Sequence, residues 1–385
     1  TWIGVGAGGL LVAGGTGAAV RGAVNGVWSA GQGTPYELWH GWESMTGVEA
    51  IVGAGILAAN PHNTQPWRLL VVGDTIELRS DQTRTMPLTD ALEREHIASL
   101  GCAAENMVVA ARAQGLDAAV AVLPVASDPR LLARIALSSG RAPSDQERMR
   151  AAAIPHRHSD RGPFTGDTLD PDTLASFTSL AAPDESARLV IIDEPASLAA
   201  ISDVMVRATQ SVVDDIDASE EAFAWFRNNR ADIDRYRDGL TLDGQGLDDL
   251  TLAAAKILPR TSREDGDRFW LNRMRETCTK TAAAYGIVEV DDVQDPALQF
   301  AGGRLLERAH LHAAQLGLGF QHMNQVTERI DRARAASAHD DFSQDWSAAL
   351  GIPADHALLT FRTGHSTLSP RPSPRRAVGD IASGL

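Results

Sequence analysis

The sequence predicts an α+β fold made of two related halves, and three observations carry that reading. At 385 residues the chain exceeds one ordinary domain. Helix-period segments alternate with short strand-like runs. Two small-residue-rich helices also echo each other. Leu100–Leu116 and Ala301–Leu318 both end on Gly-Leu and both feed a strand. Glycine and alanine permit close helix approach, which places both copies at one packing seam. Two copies suggest duplication of one α/β unit, with chance similarity of Ala-rich helices as the competing explanation.

Residues 1–33 stand apart. Ile3–Val20 is an apolar, Gly- and Ala-rich run followed by Arg21. It has the length of a membrane span, but its glycines make a poor helix. It reads as an export signal or anchor, and Thr1-Trp2-Ile3-Gly4 suits the stretch after the arginine pair of a Tat-type signal. Membrane association through residues 1–20 follows from that reading. A packed apolar arm on a cytoplasmic protein is the alternative.

The first half is expected over 34–150. A helix at Val48–Ala59 precedes strands Leu69–Val72 and Thr75–Arg79, joined through Gly73-Asp74. A long helix follows from about Ala91 to Ala113, with Gly115 placed to stop it. Strands Ala118–Leu123 and Leu132–Leu137 come next, and 138–153 reads as a polar linker into a helix. The second half is expected over 151–385. It contains strand Ala187–Ile192, helix Ala196–Val213, a helix Ala301–Leu316, and strands Phe320–Met323 and Leu358–Arg362. A charged insertion at about 214–268 carries Trp225-Phe226 and a Gly-punctuated loop. It reads as a lid-like cover or as a surface helical hairpin.

Composition narrows function. A net charge of −15 argues against nucleic-acid binding, because phosphates need a cationic partner surface. Cys102 and Cys278 lack CxxC or Cys/His spacing, so neither a disulfide framework nor a zinc site is expected. His310 and His312 are two apart on a helix and do not share a face. They read as packing or surface residues.

Two motifs carry chemistry. Asn60-Pro61-His62-Asn63-Thr64-Gln65-Pro66-Trp67-Arg68 ends one helix and runs directly into a strand. Carboxamides offer both donors and acceptors, which suits the alternating edge of a flat heterocycle such as a flavin pyrimidine. A helix cap and turn is the plainer reading. The second motif is Arg157-His158-Ser159-Asp160-Arg161. On an extended segment Arg157, Ser159 and Arg161 point together, two guanidinium forks with a hydroxyl between them, as a phosphate receptor requires. A solvated loop with local ion pairs is the alternative.

Together these residues resemble the nitroreductase family of FMN proteins, over about residues 48–380. The family's Arg-x-Ser-x-Arg segment matches Arg157, Ser159 and Arg161. Its Asn-x-Gln-Pro-Trp corner matches Asn63-Thr64-Gln65-Pro66-Trp67. Its Gly-Leu-Gly strand entry matches Gly317-Leu318-Gly319, leading to Asn324-Gln325, and its basic C-terminal contact matches Arg375-Arg376. Here the amide corner precedes the arginine segment, the reverse of the ordinary order, and each half lacks the other's motif. That arrangement resembles the single-chain, Acg-like branch.

The resemblance implies a three-layer fold of two fused half-copies, a pseudo-dimeric monomer or loose oligomer, and one FMN between the halves. Arg157, Ser159 and Arg161 would meet the phosphate, ribityl chain and pyrimidine edge, with Arg161 the candidate charge near N1. Asn60, Asn63 and Gln65 would line the isoalloxazine, Asn324 and Gln325 would reach flavin N5 or O4, and Arg375 and Arg376 would finish the phosphate site. His62 is either a flavin-edge hydrogen bonder or a turn residue. The implied activity is ping-pong hydride transfer through flavin N5 from NAD(P)H to a small molecule: a nitro-aromatic, a quinone or a specialised metabolite. A non-turnover FMN-binding protein with a closed lid is the alternative. No GxGxxG is present, so a nicotinamide would dock transiently.

Overall fold

A computed structural model describes residues 21–182 and 185–385. The apolar run Ile3–Val20 lies outside the described residues. Among the described residues no helix is long and apolar enough to cross a membrane.

Helix α1 (Gly47–Ile56) is buried from Ala50 onward, as its run of Ala, Ile, Val and Gly requires. It leads to strands β1 (Trp67–Val72) and β2 (Thr75–Ser80). Gly73, at φ 57°, makes the two-residue turn between them. Helix α2 (Arg94–Ala113) precedes β3 (Leu116–Val122) and β4 (Leu131–Ser139). The second half opens with β5 (Ala187–Ile192) and α3 (Pro195–Asp214). Helices α4 (Ile216–Ala224), α5 (Asp249–Ile257) and α6 (Arg263–Arg273) follow. Then come β6 (Ala284–Val290), α7 (Pro296–Gln315) and β7 (Leu318–His322). Helices α8 (Gln325–Ala335) and α9 (Ser343–Leu350) separate β7 from β8 (Ala357–His365), and β9 (Ala382–Ser383) ends the chain.

The two main sheets repeat one strand order. The first runs β1-β2-β4-β3 and the second β5-β6-β8-β7. All these pairings are antiparallel. In each half a helix, α2 or α7, joins the second strand to the third. Strand β9 then returns from the second half to pair parallel with β1, Leu69 opposite Ala382.

Helices α2 and α7 pack against each other at the centre. Adding 202 to a position in α2 gives its counterpart in α7: 94 to 296, 98 to 300, 101 to 303, 105 to 307 and 113 to 315. The contacts obey the same rule. A Cβ on Gly101 would lie 2.1 Å from the Phe300 carbonyl oxygen, and a Cβ on Gly303 would lie 1.8 Å from that of Ala98. Residue i meets j while the counterpart of i meets the counterpart of j, the signature of a two-fold contact. The glycines are there because nothing larger lets the two backbones touch.

The sheets differ in cover. Along β1 the residues alternate between buried and open, so one face of the first sheet meets water. Strands β6 and β8 are buried on both faces, between α7 on one side and α3, α8 and α9 on the other. The sequence reading lacks β6, the central strand of that sheet. A strand covered on both sides shows no alternation, so its periodicity is silent. Within the stretch read as a linker, β4 reaches Ser139 and a helix at Asp145–Ala152 begins on a Ser144/Glu147 capping box.

Candidate functional site

The amide corner is the first local structure to explain. His62, Asn63 and Gln65 sit at φ 47°, 54° and 52°, the left-handed region that non-glycine residues avoid. Each such residue costs on the order of 1–3 kcal/mol and persists only where surroundings impose it. The surroundings here are hydrogen bonds. Gln65 N donates to Asn60 Oδ1 at 2.8 Å. Asn63 Nδ2 donates to the Gly239 and Pro374 carbonyls, and Asn63 Oδ1 accepts from Arg375 Nη1 at 2.6 Å. Gln65 Nε2 donates to Arg237 O at 2.9 Å, and its Oε1 accepts from Arg376 N at 2.9 Å. Asn63 and Gln65 therefore tie three distant segments together and do not face the cavity described next.

A cavity of about 370 Å³ lies between the halves. That falls within the range of about 300–1,000 Å³ typical of small-molecule sites. Its floor is the α2/α7 seam, at Ala98, Ser99, Cys102 and Leu306. Asn60, Pro61 and His62 enter from the corner, and Ser159 and Arg161 from the arginine segment. Gln321, His322, Asn324 and Gln325 come from the end of β7. Phe223, Phe226, Leu242, Phe269 and Trp270, all from 214–273, supply an apolar wall. Helix α6 runs into a π-helical turn, Met274–Cys278, whose two end residues also line the space. Such turns recur at functional sites.

The structure thus brings together Asn60, Ser159, Arg161, Asn324 and Gln325. It does not bring Arg157, Asn63, Gln65, Arg375 or Arg376 to the cavity wall. The expected alternation of Arg157, Ser159 and Arg161 fails at its first member, because Ile154–His156 forms a 3-10 turn instead of extended chain. Arg157 turns inward. Its Nε lies 3.0 Å from Glu307 Oε1, its Nη1 lies 3.0 Å from His310 Nδ1, and its Nη2 donates to the Leu57 carbonyl at 2.7 Å. Arg375 is consumed too, donating to the Ile56, Leu57 and Ala58 carbonyls at the C-terminus of α1. A guanidinium there satisfies carbonyls that have no partner within the helix. Both guanidinium groups flank Trp39, at 5.7 and 4.7 Å from its ring. Arg376 points to the Asp380 carbonyl at 3.0 Å, on the surface side.

Charge within the cavity is divided. Arg161 donates to the Gly244 carbonyl at 3.1 Å, and Arg273 to the Arg161 carbonyl at 2.6 Å. Neither has a carboxylate ion-pair partner among the described residues. Burial draws the Arg161 pKa below its ordinary value. His322 lines the wall with its Nε2 buried and without a hydrogen-bond partner. Burial, then Arg157 and Arg161, push its pKa down to about 3, so it is a neutral imidazole. His62 is held at about 4 by burial and Arg161. Glu95 of α2 and Glu328 of α8 also line the cavity and hydrogen-bond each other. Burial, then the Glu95 carboxyl, raises Glu328 well above the usual carboxylate range. One face thus offers cations, another an acid that keeps its proton.

Sequence reasoning missed Arg273, Glu95, Glu328 and the role of His322. Arg273 stands in a run of charges, and Glu95 reads as an ordinary first-turn acid, so nothing local marks them. His310 is buried as a packing residue, stacked on Phe320 with ring centroids 4.2 Å apart.

No family model matches the chain. A Mycobacterium tuberculosis protein provisionally named NAD(P)H nitroreductase acg is 34% identical over 117 residues, 30% of this chain and 35% of that protein. A second protein of the same organism, provisionally named an NAD(P)H nitroreductase, is 35% identical over 118 residues, 34% of its length. Over that stretch the chain is similar in sequence to these provisionally named nitroreductases. The match spans about a third of each of these relatives. Among solved structures, the FMN-dependent nitroreductase NfnB from Mycobacterium smegmatis in complex with NADPH aligns at 13% identity and a TM-score of 0.41, covering 63% of this chain and 100% of that one. A nitroreductase with bound FMN from Desulfitobacterium hafniense aligns at 13% identity and a TM-score of 0.38, covering 62% and 98%. Likeness at that level decides nothing about the site.

Proposed function

We propose that the chain is an FMN-dependent oxidoreductase built as a fused pseudo-dimer, with one FMN per chain in the cavity between its halves. The observation that carries this reading is the half-buried pair Arg161 and Arg273, without a carboxylate partner among the described residues, in the same cavity as five carboxamides and an apolar wall. Guanidinium forks fit a phosphate and carboxamides fit the pyrimidine edge. The orphaned Nε2 of His322 marks a polar atom that needs a partner from a ligand.

Arg161, Arg273 and Ser159 would hold the phosphate and ribityl hydroxyls. Asn60, Asn324 and Gln325 would read the ring edge, and Phe269 and Trp270 would exclude water. Bound there, FMN would supply two-electron redox chemistry for hydride exchange between NAD(P)H and a nitro-aromatic, quinone or other small acceptor. The segment 214–273 acts as a lid over that exchange. Residues 1–33 serve export or membrane attachment.

The test is the absorption spectrum of the purified chain and its titration with FMN. One equivalent is expected, and Arg161→Ala and Arg273→Ala should each weaken binding by about tenfold or more. Saturation at two equivalents, or uptake unaffected in both variants, defeats the reading. A chain that binds FMN yet oxidises no NAD(P)H with menadione present is instead a sequestering protein. The apolar roof over the cavity favours that second reading if turnover is absent.

A further inference from the structure

A smaller cavity of about 160 Å³ adjoins the first. Leu242, Ala255 and Thr261 line both, so these three residues form the partition. Asn228 lines the smaller space and is only 9% exposed, yet neither its amide nitrogen nor its amide oxygen has a hydrogen-bond partner. Leaving such a group unsatisfied costs about 1–3 kcal/mol, so an orphan of this kind calls for a partner. The rest of the wall says which kind. Arg21 and Arg260 line it, and neither has a carboxylate partner among the described residues. Lys256 is committed, lying 2.5 Å from Asp243 and donating to the Gly26 carbonyl at 3.0 Å. No carboxylate lines the space. In a chain of net charge −15 this is a local cationic exception.

We propose that this cavity is an anion site for a phosphate monoester or free phosphate. Two guanidinium forks and an amide N–H supply donors for several phosphate oxygens at once. The Asn228 carbonyl oxygen accepts from a phosphate O–H or a neighbouring ligand hydroxyl, which a carboxylate does not provide. The phosphate is either free or carried by a molecule that also occupies the larger cavity, such as the 2′-phosphate of NADPH. That second source rests on the flavin reading; the site itself does not.

Isothermal titration of the full chain with inorganic phosphate tests the site. One equivalent is expected to bind. Asn228→Asp, which places a negative charge in the pocket, and Arg260→Ala, at an exposed residue outside the larger cavity, should each weaken it by about tenfold or more. No binding, or binding as tight in both variants as in the parent chain, overturns the proposal. FMN uptake measured on the same samples separates the two readings: phosphate binding without FMN uptake leaves this site standing and removes only the flavin. Tighter binding of NADPH than NADH, with the difference lost in Arg260→Ala, assigns the tethered source. Equal affinities assign free phosphate.

Discussion

The two sides of the α2/α7 seam, related by its two-fold contact, carry different side chains at equivalent positions. On one side, Cys102 of α2 is small and lines the 370 Å³ space. Its counterpart on α7 is Arg304, whose Nε donates to Glu105 at 2.8 Å. Glu105 is itself the counterpart of Glu307, which pairs with Arg157. Arg308 adds its own bidentate pair to Glu185, with both bonds at 2.8 Å. One position is thus a small cavity-lining residue in α2 and an ion-paired arginine in α7.

That contrast can be broken in four ways. The largest effect is expected from Cys102→Arg, which puts the residue found at the α7 counterpart into the cavity wall. FMN uptake should be abolished while circular dichroism stays native; retained uptake means that the seam is not the floor of the site. Next, Arg157→Ala strands Glu307 in the core and should cost about 3–5 kcal/mol in urea unfolding. Arg304→Ala, at the partly open counterpart, should cost about 1 kcal/mol. Equal losses would erase the difference between the two sides. Third, Gly303→Ala forces a methyl group onto the Ala98 carbonyl and should cost about 1–3 kcal/mol, as should Gly101→Ala, since the clash is mirrored.

The fourth prediction concerns pH. His322 sits at about 3 in the folded chain, against about 6.5 for an ordinary histidine. Its folded pKa is depressed, so between those values the unfolded chain binds a proton that the folded chain does not. The contribution is fully present above about pH 6.5 and is lost as pH falls toward 3. The limiting slope is about 1.4 kcal/mol per pH unit. Urea midpoints at pH 7 and pH 5, compared with those of His322→Gln, isolate it. A variant as pH-sensitive as the parent would show that the imidazole is not neutral in the fold.

Much of this architecture was legible. Gly115 ends α2 at φ 76°, and the echo it shares with Gly317 marks the central helix pair in the sequence itself. Strand Ala187–Ile192 and the Gly73 hairpin follow from local pattern alone. The site was half legible. Ser159, Arg161, Asn60, Asn324 and Gln325 converge, because each lies next to an element end that the seam positions. Asn63 and Gln65 do not line the cavity, since the partners of their amides lie 172 to 312 residues away. Arg157 misled because a 3-10 turn, invisible to a period-2 argument, rotates it toward Glu307. Glu95 and Glu328 meet only through tertiary packing between α2 and α8, and no spacing in the chain announces that.

The return of Arg375, Arg376 and β9 to the first half sets an order for biosynthesis. The left-handed corner, the carbonyl end of α1 and the outer edge of β1 all await residues 375–383. Long-range closure of this kind is slow. The first half emerging from a ribosome therefore carries an open sheet edge and an unfastened bend until residues 375–383 have been made.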